Sequence, residues 1–324
     1  MTKYIGRRVN VGIGKESPRG TGVASQQSIP KTNYTFEDKA NKARSGEGHG
    51  NIAGGGSQAV VTGRFSEGAL EGEINSNSFG LILLALLGEE NVTAYETTAY
   101  KHTYALTNDN QHQSLSIHCD DPIGDTIFEG CMVDSLEINV MQNEFASFVC
   151  ALKGKKGQDS SYVPAYAADY KFVGRDLEFK VAANTAGLAA ASAISIKELK
   201  VTINKNSDYD WALGTLEPED VLNRQFIVQG AITLNYEDRT FRDYMLDGDY
   251  KAIGIKLTNS RDTIGAAGSP EFYLELPVVD FSEWESQRGN EDIVGQTINF
   301  NALYDIANSK LISSCYINNT VDSY

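Results

Sequence analysis

Residue types that could carry chemistry are sparse in this chain. Its four histidines are His49, His102, His112 and His118. His118, Cys119 and Cys131 form the one group with ligand-like types. Their spacing matches no zinc knuckle, and no CxxC or HxxxH occurs. They read as a packed histidine and buried thiols. Two glycine-rich stretches invite comparison with phosphate-binding loops. The first, GIGKESPRG, has Gly12, Gly14 and Lys15 but lacks the GxxxxGK[ST] order, and no helix opens after it. The second, Gly54 to Ser57, has no lysine. Glu217, Glu219 and Asp220 could offer oxygens to Ca²⁺. Among 43 acidic residues, such a cluster is expected in a solvated loop. Neither GxSxG nor HExxH is present. The sequence therefore predicts no catalytic, cofactor-binding or metal-ligating residue, and what remains is assembly.

Composition narrows the classes further. Of 324 residues, 41% are apolar and 22% charged, which is a foldable composition. The 28 basic residues against 43 acidic ones give a formal charge of -15. A nucleic-acid coat needs a basic footprint that the chain as a whole does not carry. An acidic surface suits the opposite task, letting a nucleic acid pass without sticking. Four cysteines make no disulfide scaffold. Met1 to Asn10 has no apolar stretch after its positive start, so no secretory signal is expected. The most apolar run, Leu81 to Leu87, is seven residues long, where a bilayer span needs about 20. The expectation is a soluble product of a reducing cytoplasm.

The elements follow from periodicity. Residues 1–57 have many glycines, short interrupted alternation and a polar run from Glu37 to Gly50. They read as an extended arm that adds little to the core of its own chain. Strands are predicted at Gln58 to Phe65, Gly68 to Asn75, Lys101 to Leu106, Gln113 to His118, Cys131 to Met141 and Phe145 to Leu152. The Cys131 strand needs a β-bulge at Asp134 or Ser135 to keep its apolar residues on one face. Phe79 to Leu87 is an all-apolar helix with Ser76 or Ser78 as N-cap and Gly88 as its stop. Gly154 to Ala168 is a turn-rich joint. Strand-like segments follow at Tyr170 to Val181, Ala193 to Ile203, Arg224 to Asn235, Lys251 to Leu257, Glu271 to Val279, Ile293 to Phe300 and Leu311 to Ile317. Glu237 to Gly248 is a second, amphipathic helix.

The second half repeats the first. A strand, a helix and a glycine stop recur from Arg64 to Gly88 and from Arg224 to Gly248, 160 residues apart. Glu137 to Val140 and Thr297 to Phe300 are expected to be equivalent pulses. The division is 1–57 arm, 58–155 first unit, 156–168 linker and 169–324 second unit. The fold class is mainly β: two tandem β-sandwich or curved-sheet units, each with one packed helix, behind a long N-terminal arm.

Several runs carry a family resemblance. Tyr4 to Ala24, YIGRRVNVGIGKESPRGTGVA, precedes Ile29-Pro30-Lys31 and Phe36 to Lys39. Then come Gly68 to Ile74, Ser78 to Gly88, and GAITLNYEDRTFRDYMLDG from Gly230 to Gly248. In these runs the chain resembles the duplicated class of tail tube proteins of long-tailed bacteriophages. The resemblance implies a structural, non-enzymatic subunit without cofactor that polymerises into stacked rings, a hollow tube for genome delivery. It implies a virion location after synthesis in the host cytoplasm, no membrane, and contact with tape measure, terminator and tail-tip proteins. DNA would pass without specific binding. Since related tubes with one unit per chain have sixfold rings, a trimeric ring with pseudo-sixfold symmetry is expected, with a hexamer as the alternative. Glu67 to Asn75, Ser135 to Met141, Lys197 to Asn204, Gln229 to Asn235 and Gln296 to Asn301 are the candidate bore-lining strands. A non-catalytic tail-tip or carbohydrate-binding β-sandwich is the competing reading. It would need aromatic residues gathered in one groove, and the chain has two tryptophans, Trp211 and Trp284.

Overall fold

The computed structural model describes residues 3–50, 52, 56–291 and 293–324. Of the Gly54–Ser57 stretch, Gly54 and Gly55 lie outside the described residues. Nearly all regular structure is antiparallel β. The first half holds β1 (Asn10–Lys15), β2 (Gln27–Ile29), β3 (Lys31–Tyr34), β4 (Glu37–Arg44) and β5 (Ala59–Glu73). Helix α1 (Gly80–Leu87) leads to β6 (Gly88–Glu96), β7 (Ala99–Leu106), β8 (Leu115–Asp120), β9 (Thr126–Met141), β10 (Ser147–Gly154) and the short β11 (Gln158–Asp159). The second half holds β12 (Leu177–Ala182), a single helical turn α2 (Thr185–Leu188), β13 (Glu198–Asn204), β14 (Asp208–Asp210), β15 (Asp220–Leu222) and β16 (Ile227–Asn235). Then follow α3 (Thr240–Asp247), β17 (Lys251–Thr258), β18 (Glu271–Gln287), β19 (Gly295–Ala302) and β20 (Ser314–Asn319).

In the first half, strands pair in the order β1–β8–β9–β10–β5, with β3 and β4 on the far side of β5. In the second, the order is β12–β17–β18–β19–β16–β13. The halves join where β9 pairs with β13. A ribbon of β6 and β7 docks on β20, which also pairs with β18. The expected equivalence of the two pulses does not hold. Glu137 to Val140 lies in β9, between β10 and β13, whereas Thr297 to Phe300 lies in β19, between β16 and β18. Short alternating strands look alike in sequence; their neighbours distinguish them.

The bulge appears where periodicity requires it. Ala151 faces Ser135 and Leu152 faces Val133, so Asp134 is the extra residue. Beyond it, Leu136, Ile138 and Val140 all turn to the core. Other expectations are corrected. Gln58 to Phe65 and Gly68 to Asn75 are one strand, β5. Gly68 marks a close approach, because a Cβ there would lie 2.3 Å from the Thr35 carbonyl oxygen. Tyr170 to Val181 is strand only from Leu177. The strand expected to end at Val279 continues to Gln287, in a polar stretch that alternates around Trp284. The front stretch is the largest correction. Val11, Ile13, Ile29 and Phe36 are all buried, and β1 runs between β2 and β8. Glycines there allow close packing rather than disorder: a Cβ on Gly12 would meet Ser25 and Tyr162 within 2.5 Å. Only β4, exposed at every position, behaves as a projecting arm.

Helix α1 is buried at all eight residues. Phe79, just before it, packs on Phe148 and Phe272, with ring centroids at 5.3 and 5.9 Å. Such a helix hides its polar ends, so each must be satisfied within the protein. Gly88 takes a left-handed conformation, φ 101°, and its N–H bonds the Leu84 carbonyl. The fully buried Lys205 donates its Nζ to Ala85 O at 3.0 Å. His112 lies between two carbonyls, with Nδ1 2.9 Å from Leu86 O and Nε2 3.1 Å from Thr107 O, and its ring N–H donates to one of them. The Thr107 N–H reaches Leu87 O. At the other end no side chain caps the helix, neither of the expected serines included; Asp169 instead holds the turn before it, accepting the N–H groups of Asn77 and Ser78 at 2.7 and 3.1 Å. Helix α3 buries only Phe241, which meets Phe281 at 5.6 Å and leaves the rest of the helix half-buried or exposed.

Two outcomes are expected. Leu83→Ala should destabilise the protein by about 2–5 kcal/mol in denaturant unfolding, and a loss below about 1 kcal/mol would contradict the burial of α1. Lys205 supplies a pH dependence. Burial, helped by the Arg19 charge, lowers its pKa to about 7, against about 10.4 in the unfolded chain. Between these values the unfolded state binds the extra proton, so stability rises with pH. From pH 7 to 9, wild type should gain about 2 kcal/mol relative to Lys205→Met. A pH-independent difference would refute this.

Candidate functional site

The seven strands β5–β10–β9–β13–β16–β19–β18 form one continuous sheet with two unlike faces. Register fixes which side chains share a face, because alternate residues point to opposite sides. One cross-strand row reads Val140, Leu199, Ile232, Ile298, Trp284. This apolar face lies against α1 and α3, and all but Trp284 are buried. The opposite face reads Glu73, Ser147, Asn139, Lys200, Ala231, Asn299, Glu283 across all seven strands. Its neighbouring row is Glu71, Val149, Glu137, Thr202, Gln229, Asn301, Asp280. A further row holds Met141, Glu198, Thr233, Thr297 and Glu285.

These three rows carry seven carboxylates, Glu71, Glu73, Glu137, Glu198, Asp280, Glu283 and Glu285, against one ammonium, Lys200. The formal excess is six negative charges. Side chains along the face are tied to one another. Lys200 pairs with Glu137 at 2.8 Å, and Asn139 donates to the same carboxylate at 2.8 Å. Asn299 donates to Glu283 at 2.7 Å and Gln229 to Asn301 at 2.9 Å. Lys171 pairs with Glu73 from outside the sheet. Partial burial raises the Glu137 pKa. Hydrogen bonds from Lys200 and Asn139, with the Lys200 charge, outweigh this and hold it below its ordinary value. The carboxylate is therefore ionised at neutral pH. Such a face presents a fixed negative field and hydrogen-bonding groups already engaged with one another. It can repel phosphates and offers no cluster of free donors to hold them.

All five strands singled out from the sequence lie in this sheet. Sequence reasoning missed β10 and the far end of β18. The outward residues of β10 are Ser147, Val149, Ala151 and Lys153, and the first three are too small or apolar to signal a polar face. The far end of β18 carries its signal in Glu283 and Glu285 on either side of Trp284.

The remaining candidates are accounted for by packing. His118 bonds Val23 O through Nε2 at 2.7 Å and lies against the Tyr162 ring. Cys131 faces Leu115 while His118 faces Ile127, so the sheet does not bring the two together. Burial raises the Cys119 thiol to about 11 and Cys150 and Cys315 to about 12, and holds Cys131 well above its ordinary value. These thiols are protonated at neutral pH. Among the described residues no cluster of three His, Cys, Asp or Glu could hold a metal ion. Asp220 is occupied by the Arg19 fork at 2.7–2.9 Å, while Glu217 and Glu219 stay exposed. Gly12, Gly14 and Lys15 lie in β1, a strand and not a loop. Trp211 packs with Phe65 and Tyr209, and Trp284 with Tyr236, so they sit in separate aromatic clusters. Among the described residues no helix is long and apolar enough to cross a membrane.

Comparison with known proteins gives one result that bears on this surface. No curated protein matches the sequence. A family model described as phage tail tube protein matches residues 6–302, from the turn before β1 to the end of β19, and so takes in every strand of the two-faced sheet. With so much of its length matched, the chain belongs to the phage tail tube protein family, and its role is that of a structural, non-catalytic component of the virion tail.

Proposed function

We propose that the chain is two tandem copies of one tube unit, and that three chains close a ring of six units that stacks into a hollow tail tube for DNA. The observation that carries this reading is the two-faced sheet, polar and net negative on one side and packed against helices on the other. Rings that turn the polar face inward would present ionised carboxylates to a passing duplex. Repulsion between fixed charges and phosphates keeps the duplex from settling on the wall, within a screening length of about 10 Å.

The pairing order supports duplication. Each half pairs an outer strand, a short strand, a long bent strand and two further strands in the same order, with β1, β8, β9, β10 and β5 answering to β12, β17, β18, β19 and β16. Helices α1 and α3 follow β5 and β16, and each ends at a left-handed glycine, Gly88 and Gly248. On this alignment the first unit includes β1 to β4, so the division proposed is about 10–154 and 177–302 with a linker between. The exposed β4–β5 ribbon is the part of the front stretch left free to reach a neighbouring ring. Tape measure, terminator and tail-tip proteins are the expected further partners, and synthesis in the host cytoplasm the expected origin.

Purified protein should assemble into rings or tubes in negative-stain images. Native mass measurement should give a ring of three 35.3 kDa chains. Six chains per ring would refute the stoichiometry, and a protein that stays monomeric under all assembly conditions would refute the tube reading.

A further inference from the structure

Two strands occupy matching places in the fold, yet one has a partner that the other lacks. The long strand β9 is bulged at Asp134, opposite the Ala151–Leu152 step of β10. The long strand β18 is bulged at Ser282, opposite the Asn299–Phe300 step of β19. Both bulges fall at the same step, so β9 and β18 align residue for residue at an offset of 148, and so do β10 and β19. Past its bulge, β9 uses its second edge to pair with β13: Ser135 faces Asn204, Glu137 faces Thr202 and Asn139 faces Lys200. The matching edge of β18, from Glu283 to Gln287, pairs with no other described strand, and Glu283, Glu285 and Gln287 are exposed.

The place of β13 in the first half can be found the same way. β13 lies along β16, with Glu198 facing Thr233 and Thr202 facing Gln229. The corresponding residues of β5 are Glu71 and Glu67, which face Asn33 and Glu37. Between them the Thr35 N–H bonds the Ala69 carbonyl. Residues 33–39 therefore hold the position of β13, at an offset of 165. Tyr34 and Phe36 turn inward where β13 has Leu199 and Val201. The outer edge of this segment also pairs with no other described strand. It borders an open groove of about 940 Å³ whose far wall is the Asp121–Thr126 turn.

We propose, resting on the tube reading above, that the ring closes by pairing these two edges between successive chains. Residues 283–287 of one chain run antiparallel to residues 35–39 of the next, with Glu283 opposite Lys39, Glu285 opposite Glu37 and Gln287 opposite Thr35. The occupant of the groove is a second copy of this chain. Closure repeats between chains the β9–β13 junction found within one chain, and extends the two-faced sheet without a break. Lys39, which bonds Glu37 in the single chain, becomes the one cation among Glu37, Glu283 and Glu285. Trp284, half-buried in the single chain, takes the place of the fully buried Leu136 and is covered at the junction.

Cysteine cross-linking tests the register. Directly opposed residues in an antiparallel pair have Cα atoms about 4.5–5.5 Å apart, within disulfide reach. Assembled tubes of Lys39→Cys/Glu283→Cys should, on mild oxidation, give covalent dimers and trimers on a non-reducing gel. Either single variant should give none. Nor should Lys39→Cys/Gln287→Cys, whose positions are four residues out of register and about 13 Å apart along the strand. Tubes that form without cross-links in the matched pair, or with equal cross-links in the shifted pair, would overturn this junction and leave the tube function standing. A wild-type protein that never forms rings would overturn the tube function itself. If the cysteine variant does not fold, charge exchange gives the answer: Lys39→Glu should lower the ring yield at least several-fold, and Lys39→Glu/Glu283→Lys should restore it. Failure of the exchange to restore rings in a folded protein would count against the pairing.

Discussion

A helix with no polar face can be buried only if the rest of the chain satisfies its ends. Helix α1 imposes that condition, and much of the architecture answers it. Its last carbonyls are met by a backbone amide, a lysine and a threonine amide, with a histidine ring nitrogen beside another. These come from the glycine stop, the end of β13 and the loop between β7 and β8. The turn that leads into it is held by Asp169, from the segment joining the halves. Moving a lysine out of water costs several kcal/mol in favourable cases. An orphaned helix carbonyl in the core would carry a cost of its own. Lys205 resolves the two together, and its lowered pKa is the residue of that bargain. Because its Nζ comes from the second half and α1 from the first, the same bond ties the halves together.

With the helix fixed, the sheet above it has no freedom of register. A slip of one residue at any ladder would turn Leu136, Ile138 and Val140 outward and bring Glu137 and Asn139 against Phe79 and its neighbours. The polar face is thus a by-product of specifying the apolar one, and its chemistry is set by what occupies the alternate positions. Those positions hold carboxylates and amides with one ammonium, and the hydrogen bonds run mainly sideways along the face. A surface that consumes its own donors and keeps its charge is poorly suited to holding a polyanion. That agrees with the tail component the chain belongs to, which has no substrate to grip.

The sequence made some of these features legible because they are local. The all-apolar run from Phe79 to Leu87, the glycine stops and the phase change at Asp134 are all contained within a dozen residues, and the structure has them where periodicity puts them. Long-range features were not legible. The strand NVGIGK looks like a loop because two of its six residues are glycine, and the Gly12 that suggests disorder is the one that lets Ser25 and Tyr162 approach. The ribbon strand β6, GEENVTAYE, has almost no buried residue and so almost no period. Asp169 and Lys205 carry no mark of what they bond around α1, since each is about 90 or more residues from the group it serves. Ser76 and Ser78 were the natural caps by proximity, but the helix has Phe79 at its N-cap without a side-chain bond, and the carboxylate of Asp169 holds the preceding turn through two N–H groups at once.

A strand of 16 or 17 residues that stayed regular would hold all its neighbours in one plane. The extra residue at Asp134 or Ser282 bends the strand and changes its twist, so that β9 and β18 can change partner along one edge. Before the bulge that edge pairs with β8 and β17, which lead toward β1 and β12. The other edge keeps β10 and β19 on both sides of the bulge, Val133 with Leu152 and Phe281 with Phe300 before it, Ser135 with Ala151 and Glu283 with Asn299 after it. One residue in each half thereby marks where the outer strands leave and the two-faced sheet begins. Asp134 also accepts the Lys205 N–H on its carbonyl and the Ser207 N–H on its side chain, which ends the β9–β13 ladder and turns the chain so that Lys205 enters the core beneath α1. The bend in the sheet and the cap on the helix are therefore one local feature, and neither could be altered alone without exposing or orphaning the other.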